Sequence, residues 1–367
     1  MIERFKSKMA VSIRPAKFAD AEAIKQVHER TGMGLLDTRA WRSSWETYPF
    51  AGEFSDIPIG WVLESETSGL VGTIGNVHML YELGGRRVKA AIATAWAVDA
   101  SHRGKAIELI ITFFKQKGVE LCLNGSASPT ASKVLTGLRI SRIPLPTYSS
   151  PCFWAADTTA FARAVLRLRS IPGAAVLAYP AAMVLLAGNF LRRSGRGTIA
   201  GTVHRLQSFD DRFDSFWKRL SAGPPRLRAV RSRAVLAWKF RDNLAAGHSA
   251  ILTIESAGKM TGYVVLVRRQ SSNLGMELYD AADIQAVDDD PVVLQDLLLA
   301  AIQQSREEGV DALKLMTGTP AKREAANALG PYTYELPFWQ LYYRASPELN
   351  TALRSSEAWD FSIFDTY

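Results

Sequence analysis

At 367 residues, with 47% hydrophobic and 22% charged residues, the chain exceeds one ordinary compact domain and is too apolar to be disordered. Its two cysteines, Cys122 and Cys152, exclude a disulfide framework and point to a reducing compartment such as the cytoplasm. The formal net charge of +8 is concentrated, because residues 163–233 hold fourteen Lys and Arg against three Asp, a local +11 that leaves −3 elsewhere.

Residues 1–9 lack the apolar run of a secretory signal, so none is expected. Residues 12–16 read as a first strand, and 20–28 as a helix whose apolar positions recur at helical spacing behind Asp20. Residues 38–45 continue as helix, with Trp41 and Trp45 on one face. Residues 61–66 and 71–81 alternate as strands around the Ser68-Gly69 turn, and Gly84-Gly85 marks a hairpin into a third run over 88–98. Residues 109–114 predict a helix buried over a wide arc, 119–124 a strand, and 129–137 a helix with Pro129 in its first turn. Residues 145–148 and 152–154 would be the last strands of this first domain.

Residues 171–191 carry no charged side chain between Arg169 and Arg192-Arg193. That length only just meets the roughly 20 apolar residues of a membrane span. Pro172, Gly173, Pro180 and Gly188 favour an interdomain or interfacial helix, and the flanking arginines suit an anionic membrane face, such as the inner side of the cell membrane. The basic segment therefore points to a local anionic contact, with a solvated connector as the alternative; no nucleic-acid recognition motif accompanies it.

Beyond residue 201 the earlier logic repeats: a helix over 209–220, paired strands at 250–255 and 261–267, strand material at 276–280 and 283–287, a long helix over 291–308, a strand at 312–316, a helix at 320–329 and a closing strand at 339–343. The expected organisation is α/β, with mixed, mostly antiparallel sheets flanked by helices. A domain over 1–157 and a connector over 158–200 lead to a second domain over 201–367.

The stretch Ala95-Trp96-Ala97-Val98-Asp99-Ala100-Ser101-His102-Arg103-Gly104-Lys105-Ala106-Ile107-Glu108 runs a strand through a short basic glycine turn into an apolar helix. Such a turn aims backbone N–H groups at one spot on a helix N-terminus, which suits phosphate or pyrophosphate. It resembles the acyl-CoA-binding segment of the GNAT superfamily of N-acetyltransferases, over roughly residues 12–154. In that family an Arg-x-x-Gly-x-Gly/Ala turn follows the strand. Arg103 matches the leading Arg, while Ala106 and Glu108 stand where the family has Gly and Gly or Ala. Ala106 fits if its φ is negative, and Glu108 if its side chain turns outward. In the second domain Val287-Asp288-Asp289-Asp290-Pro291 occupies the corresponding place, and three carboxylates there repel a pyrophosphate. The whole is similar to tandem GNAT proteins whose second copy is degenerate.

The resemblance implies acyl transfer, acetyl transfer from acetyl-CoA in particular, to an amine such as an amino sugar or an amino-acid-like acceptor. The competing reading is a non-catalytic GNAT-fold scaffold docking on a partner or a membrane. By the family pattern Trp96, Ala97 and Val98 would bond the pantetheine by backbone, and His102, Arg103, Gly104, Lys105, Ala106 and Ile107 would line the pyrophosphate. Asn124 and Ser132 would orient the acyl arm. Candidate proton acceptors are Asp99 and Glu64, ahead of Glu66 and His78. The helix after Asn124 has no Tyr to serve as acid, which leaves Tyr148 as a substitute. No metal-ligand spacing occurs among the five His and two Cys, so no metal is expected. Among the aromatic residues near the end, Phe338, Trp339, Tyr342 and Tyr343 read as sheet with part of it facing the core, with a glycan-stacking surface as the alternative, and Trp359 and Phe361 fall in the tail.

Overall fold

A computed structural model describes residues 11–193, 199–271, 275–335 and 340–366. The first part runs β1 (Val11–Pro15), α1 (Ala21–Thr31), α2 (Thr38–Glu46), β2 (Gly60–Ser65), β3 (Gly69–Leu83), β4 (Arg86–Val98), α3 (Ala106–Phe114), β5 (Leu121–Ala127), α4 (Pro129–Gly137), β6 (Ser141–Arg142) and β7 (Cys152–Ala155). A hairpin of α5 (Thr158–Leu168) and α6 (Ala174–Arg193) follows. The second part runs β8 (Thr202–Leu206), α7 (Arg212–Ser221), β9 (Arg228–Ala229), α8 (Arg233–Ala245), β10 (Ser249–Ser256), β11 (Lys259–Ser271), β12 (Met276–Ala286), α9 (Pro291–Glu307), β13 (Ala312–Leu315), α10 (Pro320–Ala328), β14 (Tyr332–Thr333), β15 (Gln340–Ala345) and α11 (Pro347–Ala352).

Two mixed sheets result. The first has the order β1-β2-β3-β4-β5-β15-β6, with β9 pairing on β3, and the second β14-β7-β13-β12-β11-β10-β8. In each, an antiparallel meander ends in one parallel step, β4 on β5 and β12 on β13. Helices α3 and α4 cover one face of the first sheet through Leu109, Phe113 and Leu135, and α9 covers one face of the second through Leu294, Leu297 and Leu298. The opposite faces share one continuous core, in which Met79, Tyr81 and Ile92 meet Tyr263, Val265, Phe213 and Trp359.

Three strand expectations are corrected. Residues 145–148 form a turn, because Pro144 and Pro146 remove ladder donors. Residues 152–154, expected in the first sheet, lie in β7 of the second, antiparallel to β13 with Trp154 opposite Leu313. The closing strand of the second copy, β15, is inserted into the first sheet between β5 and β6, with Tyr342 opposite Asn124. The two halves have exchanged their last strands. Strand material at 276–287 is one strand with a register shift opposite Val265 and Leu266.

Candidate functional site

The parallel ladder between β4 and β5 is short. It joins Ala90 to Leu121, Ala91 to Cys122 and Ile92 to Leu123, and then stops. Beyond Ile92, β4 stays with β3 but shifts register, so that Thr94 faces Gly75 and Ala97 faces Thr73. The extra residue is Ala95, in the left-handed region at φ 50°. A non-glycine there costs on the order of 1–3 kcal/mol, strain that collects at functional sites. The bulge also needs Gly75, since a Cβ on it would lie 2.6 Å from Thr94 Cγ2. Meanwhile β5 turns to β15, with Asn124 opposite Tyr342 and Ala127 opposite Gln340. A wedge opens between residues 93–98 and 124–127, edged by backbone no longer in the β4–β5 ladder.

At the exit of β4, a 3-10 turn over Ala100–Lys105 delivers the chain into α3. The N-cap residue of α3, Lys105, makes no side-chain cap hydrogen bond, and the Ala106 N–H donates to the Arg103 carbonyl of the 3-10 turn, so the turn meets the helix through backbone and not through a capping side chain. The condition on Ala106 is met, with φ −57°; Glu108 is exposed, but its carboxylate reaches back to Lys105 Nζ, the last residue of the turn, at 2.6 Å. Arg103 is exposed beside Gly104, which has open space where a Cβ would be. Trp96, Ala97 and Val98 border the wedge, and His102 and Ile107 belong to the turn and the first turn of α3.

The expected acid–base residues are engaged elsewhere. Asp99 pairs with Arg30 of α1 at 3.0 Å, and Arg30 also bonds the Leu70 carbonyl. Glu64 pairs with Arg14 at 2.8 Å, and the same guanidinium holds Asp20; the Arg14 hydrogen bond keeps the Glu64 carboxyl below its ordinary range. Glu66 is exposed in the β2–β3 turn. His78 is stacked on Phe54 at 4.9 Å, and burial pushes its imidazole down to about 4, so it is neutral at pH 7. Tyr148 is buried edge-on against Phe361, and burial pushes its hydroxyl well above the ordinary range.

Asn124 is buried at the wedge, its Oδ1 accepting from the Ser126 N–H at 3.4 Å. Ser132 instead anchors an aromatic residue from the far end of the chain. Its hydroxyl lies 2.6 Å from the Tyr342 hydroxyl, which also meets Thr136 Oγ1 at 3.1 Å. Burial alone would raise Tyr342; the hydrogen bonds from Ser132, Thr136 and Arg142 outweigh it and leave the phenol lowered. The strand exchange thus supplies a tyrosine against α4, a helix without one of its own.

The sequence reading also missed the chain's last segment. Trp359, Phe361 and Phe364 are at most 1% exposed, each contributing roughly 1.5–3 kcal/mol by burial. Their alternation with Asp360, Ser362 and Asp365 is the signal that was available: too apolar for a loose tail, too acidic for a plain core. Asp365 accepts from the Tyr81 hydroxyl at 2.9 Å and pairs with Arg231, which also grips Asp283 at 2.9 Å. Burial would raise the Asp360 carboxyl, but Lys322 Nζ at 2.5 Å and Arg228 outweigh it and hold it well below the ordinary range. The parallel β12–β13 ladder ends likewise, at Asp280 opposite Lys314, which leaves a second wedge in the second sheet, and the fixed segment reaches both. A Cβ on Gly318, beyond β13, would collide with the Phe361 carbonyl oxygen. A Cβ on Gly125 in β5 would lie 3.3 Å from Thr366 Cγ2 and 3.7 Å from Phe361 Cζ. The Thr366 carbonyl accepts from Lys239 Nζ at 3.0 Å, and burial pushes that amine down to about 7.

The corresponding turn of the second domain is built differently. Asp288 and Asp289 take φ of 58° and 53°, Asp289 pairs with Arg226, and Asp290 Oδ1 accepts the Val292 and Val293 N–H groups at 2.8 and 3.3 Å. The start of α9 is therefore filled by the chain's own carboxylate.

No sequence-family profile matches the chain, and no curated protein sequence is significantly similar to it. Solved structures do match. A GCN5-related N-acetyltransferase from Anabaena variabilis superposes with TM-score 0.56 at 12% identity, over 94% of this chain and 74% of that one. Eis1 from Mycobacterium abscessus gives TM-score 0.54 at 15% identity, over 94% of this chain and 76% of that one. A conserved protein of unknown function from Enterococcus faecalis, a probable N-acyltransferase, gives 0.53 at 11%, over 92% and 72%. The fold is that of the GCN5-related N-acetyltransferases, in tandem.

Proposed function

We propose that the chain transfers an acyl group, acetyl in the simplest case, from an acyl-CoA to a primary amine on a small polar acceptor such as an amino sugar or amino acid, and that this happens in the first domain only. The observation that supports it is the uncapped N-terminus of α3 beside an open β4–β5 wedge, in a molecule whose second copy has the same helix capped by Asp290. Exposed Arg103 and the positive end of the α3 dipole fit a pyrophosphate, and the backbone of residues 96–98 fits an amide-bearing arm laid along the wedge. Acyl-CoA, when bound, supplies the activated thioester.

The rest belongs to this chain. Asn124 and the Gly125 backbone would fix the acyl end where the wedge meets the tail. An amine attacks a thioester only as the free base, so the acceptor must give up a proton. We assign that proton to Lys239, whose amine is lowered to about 7 by burial and donates to the carbonyl of Thr366, the tail residue lying on Gly125. One observation favours the scaffold reading: the Lys105–Glu108 pair removes one positive charge from the turn.

Calorimetric titration separates the two. Acetyl-CoA should bind the unmodified protein, and Arg103→Glu should weaken it by about tenfold or more, a loss of roughly 1.4 kcal/mol. Absence of heat from the unmodified protein at millimolar acetyl-CoA overturns the enzyme reading.

A further inference from the structure

Helix α6 carries its large apolar side chains on its outer side. Its small residues Ala178 and Ala182 are buried against Ala162 and Leu166 of α5. Val176, Leu177, Tyr179, Met183, Val184 and Leu186 are instead 44–74% exposed. At 3.6 residues per turn these six share the arc opposite the buried alanines. No charged residue interrupts residues 171–191. A contiguous apolar face of this kind marks an interaction surface.

Charge decides what covers it. The hairpin stretch 158–200 contains six Arg and not one Asp or Glu. Of the other seven arginines of the basic segment six pair with carboxylates of the second part of the molecule, Arg205 with Glu308, Arg212 with Asp210 and Glu255, Arg226 with Asp289, Arg228 with Asp360, Arg231 with Asp283 and Arg233 with Asp211, and the seventh, Arg219, donates to the Met260 carbonyl. The hairpin stretch is thus a cationic run with no carboxylate of its own, with Arg167 and Arg169 exposed before α6 and Arg192 and Arg193 at its last two positions. A second copy docked face to face on this helix would set six arginines against six.

We propose that α6 lies in the plane of an anionic bilayer surface, with its outer arc at the boundary of headgroups and acyl chains and the hairpin's arginines on the headgroup phosphates. The geometry is interfacial, not spanning. Among the described residues no helix is long and apolar enough to cross a membrane, and Pro180 interrupts this one. A 20-residue helix, about 30 Å long, lying flat inserts its apolar face roughly 5–10 Å.

Flotation of the full chain with vesicles tests this. The protein should rise with phosphatidylcholine–phosphatidylglycerol vesicles at low salt, stay behind with phosphatidylcholine alone, and be released by high salt. The double variant Met183→Glu, Val184→Glu changes two exposed positions, so it should keep the thermal transition and lose on the order of tenfold or more in partitioning. A Val184→Cys variant gives a second readout. Cys122 and Cys152 are buried, so an environment-sensitive dye labels position 184, and its emission should shift to the blue on adding anionic vesicles. The proposal is overturned if the protein ignores anionic vesicles at low salt, or if the double variant floats as well as the parent. It is equally overturned if light scattering shows a stable dimer that the double variant splits, since the occupant is then a second copy.

Discussion

The N-termini of α3 and α9 occupy the same place in two copies of one fold, each just after the strand that borders a wedge. The chain treats them in opposite ways. At α9 Asp290 caps the helix and Asp289 is neutralised by Arg226. At α3 the cap position is Lys105, with no side-chain bond to the helix, and the turn ahead of it carries His102 and Arg103. A capping side chain is worth about 1 kcal/mol, so the first copy forgoes stability that the second copy takes. The wedges differ likewise. At the second, Gly318 is pressed against the tail backbone, while at the first the tail approaches Gly125 chiefly through the side chains of Thr366 and Phe361. An anion site and a closed core are alternative uses of one geometry, and the tail separates them.

The largest effect is expected where the tail is fixed. Arg231 is 1% exposed and faces Asp283 and Asp365, both buried, with Phe364 under its guanidinium at 4.8 Å. Arg231→Met leaves two carboxylates without their cation, which should cost about 3–5 kcal/mol. Urea unfolding measures it, and a loss below about 1 kcal/mol would show that the tail is not anchored there.

Element order was legible because period-2 and period-3.6 patterns are local, and the contrast between Arg103-Gly104-Lys105 and Asp288-Asp289-Asp290 was legible because charge is written directly in the sequence. Partner choice was not. Cys152–Ala155 is buried throughout and Leu341, Tyr342 and Tyr343 are buried in succession, and a run buried on both faces reads the same in either sheet. The engagement of Glu64 and Asp99 depended on Arg14 and Arg30, distant in sequence and adjacent only after folding. Lys239 is the one lysine of an apolar run over 234–240, and its contact with Thr366 spans 127 residues.

Lys239 carries the next comparison. The lysines of the second wedge, Lys314 and Lys322, sit on the carboxylates of Asp280 and Asp360 at 2.7 and 2.5 Å; Lys239, which donates to the Thr366 carbonyl, is lowered by burial to about 7. A base works deprotonated, so the acetylation rate should climb as pH rises through about 7 and level off above it. Lys239→Met should lower kcat by about a hundredfold and flatten that rise, with a smaller change in KM for acetyl-CoA. An unchanged pH profile in the variant removes Lys239 from the chemistry.

The smallest effects address the caps themselves. Asp290→Ala strips two amides of their acceptor and should cost about 1 kcal/mol in urea unfolding, leaving acetyl-CoA binding untouched. Lys105→Asp places a carboxylate at the start of α3 beside Glu108, where the second copy has its own. Stability should move by less than about 1 kcal/mol, because Lys105 and Glu108 are 42% and 52% exposed and a surface pair of that kind contributes little. Acetyl-CoA affinity should fall by about tenfold or more, since the added charge stands where the phosphates would lie. The two variants together make the comparison reciprocal. If Lys105→Asp binds acetyl-CoA like the parent, the open helix end is not an anion site, and the difference between α3 and α9 is one of stability alone.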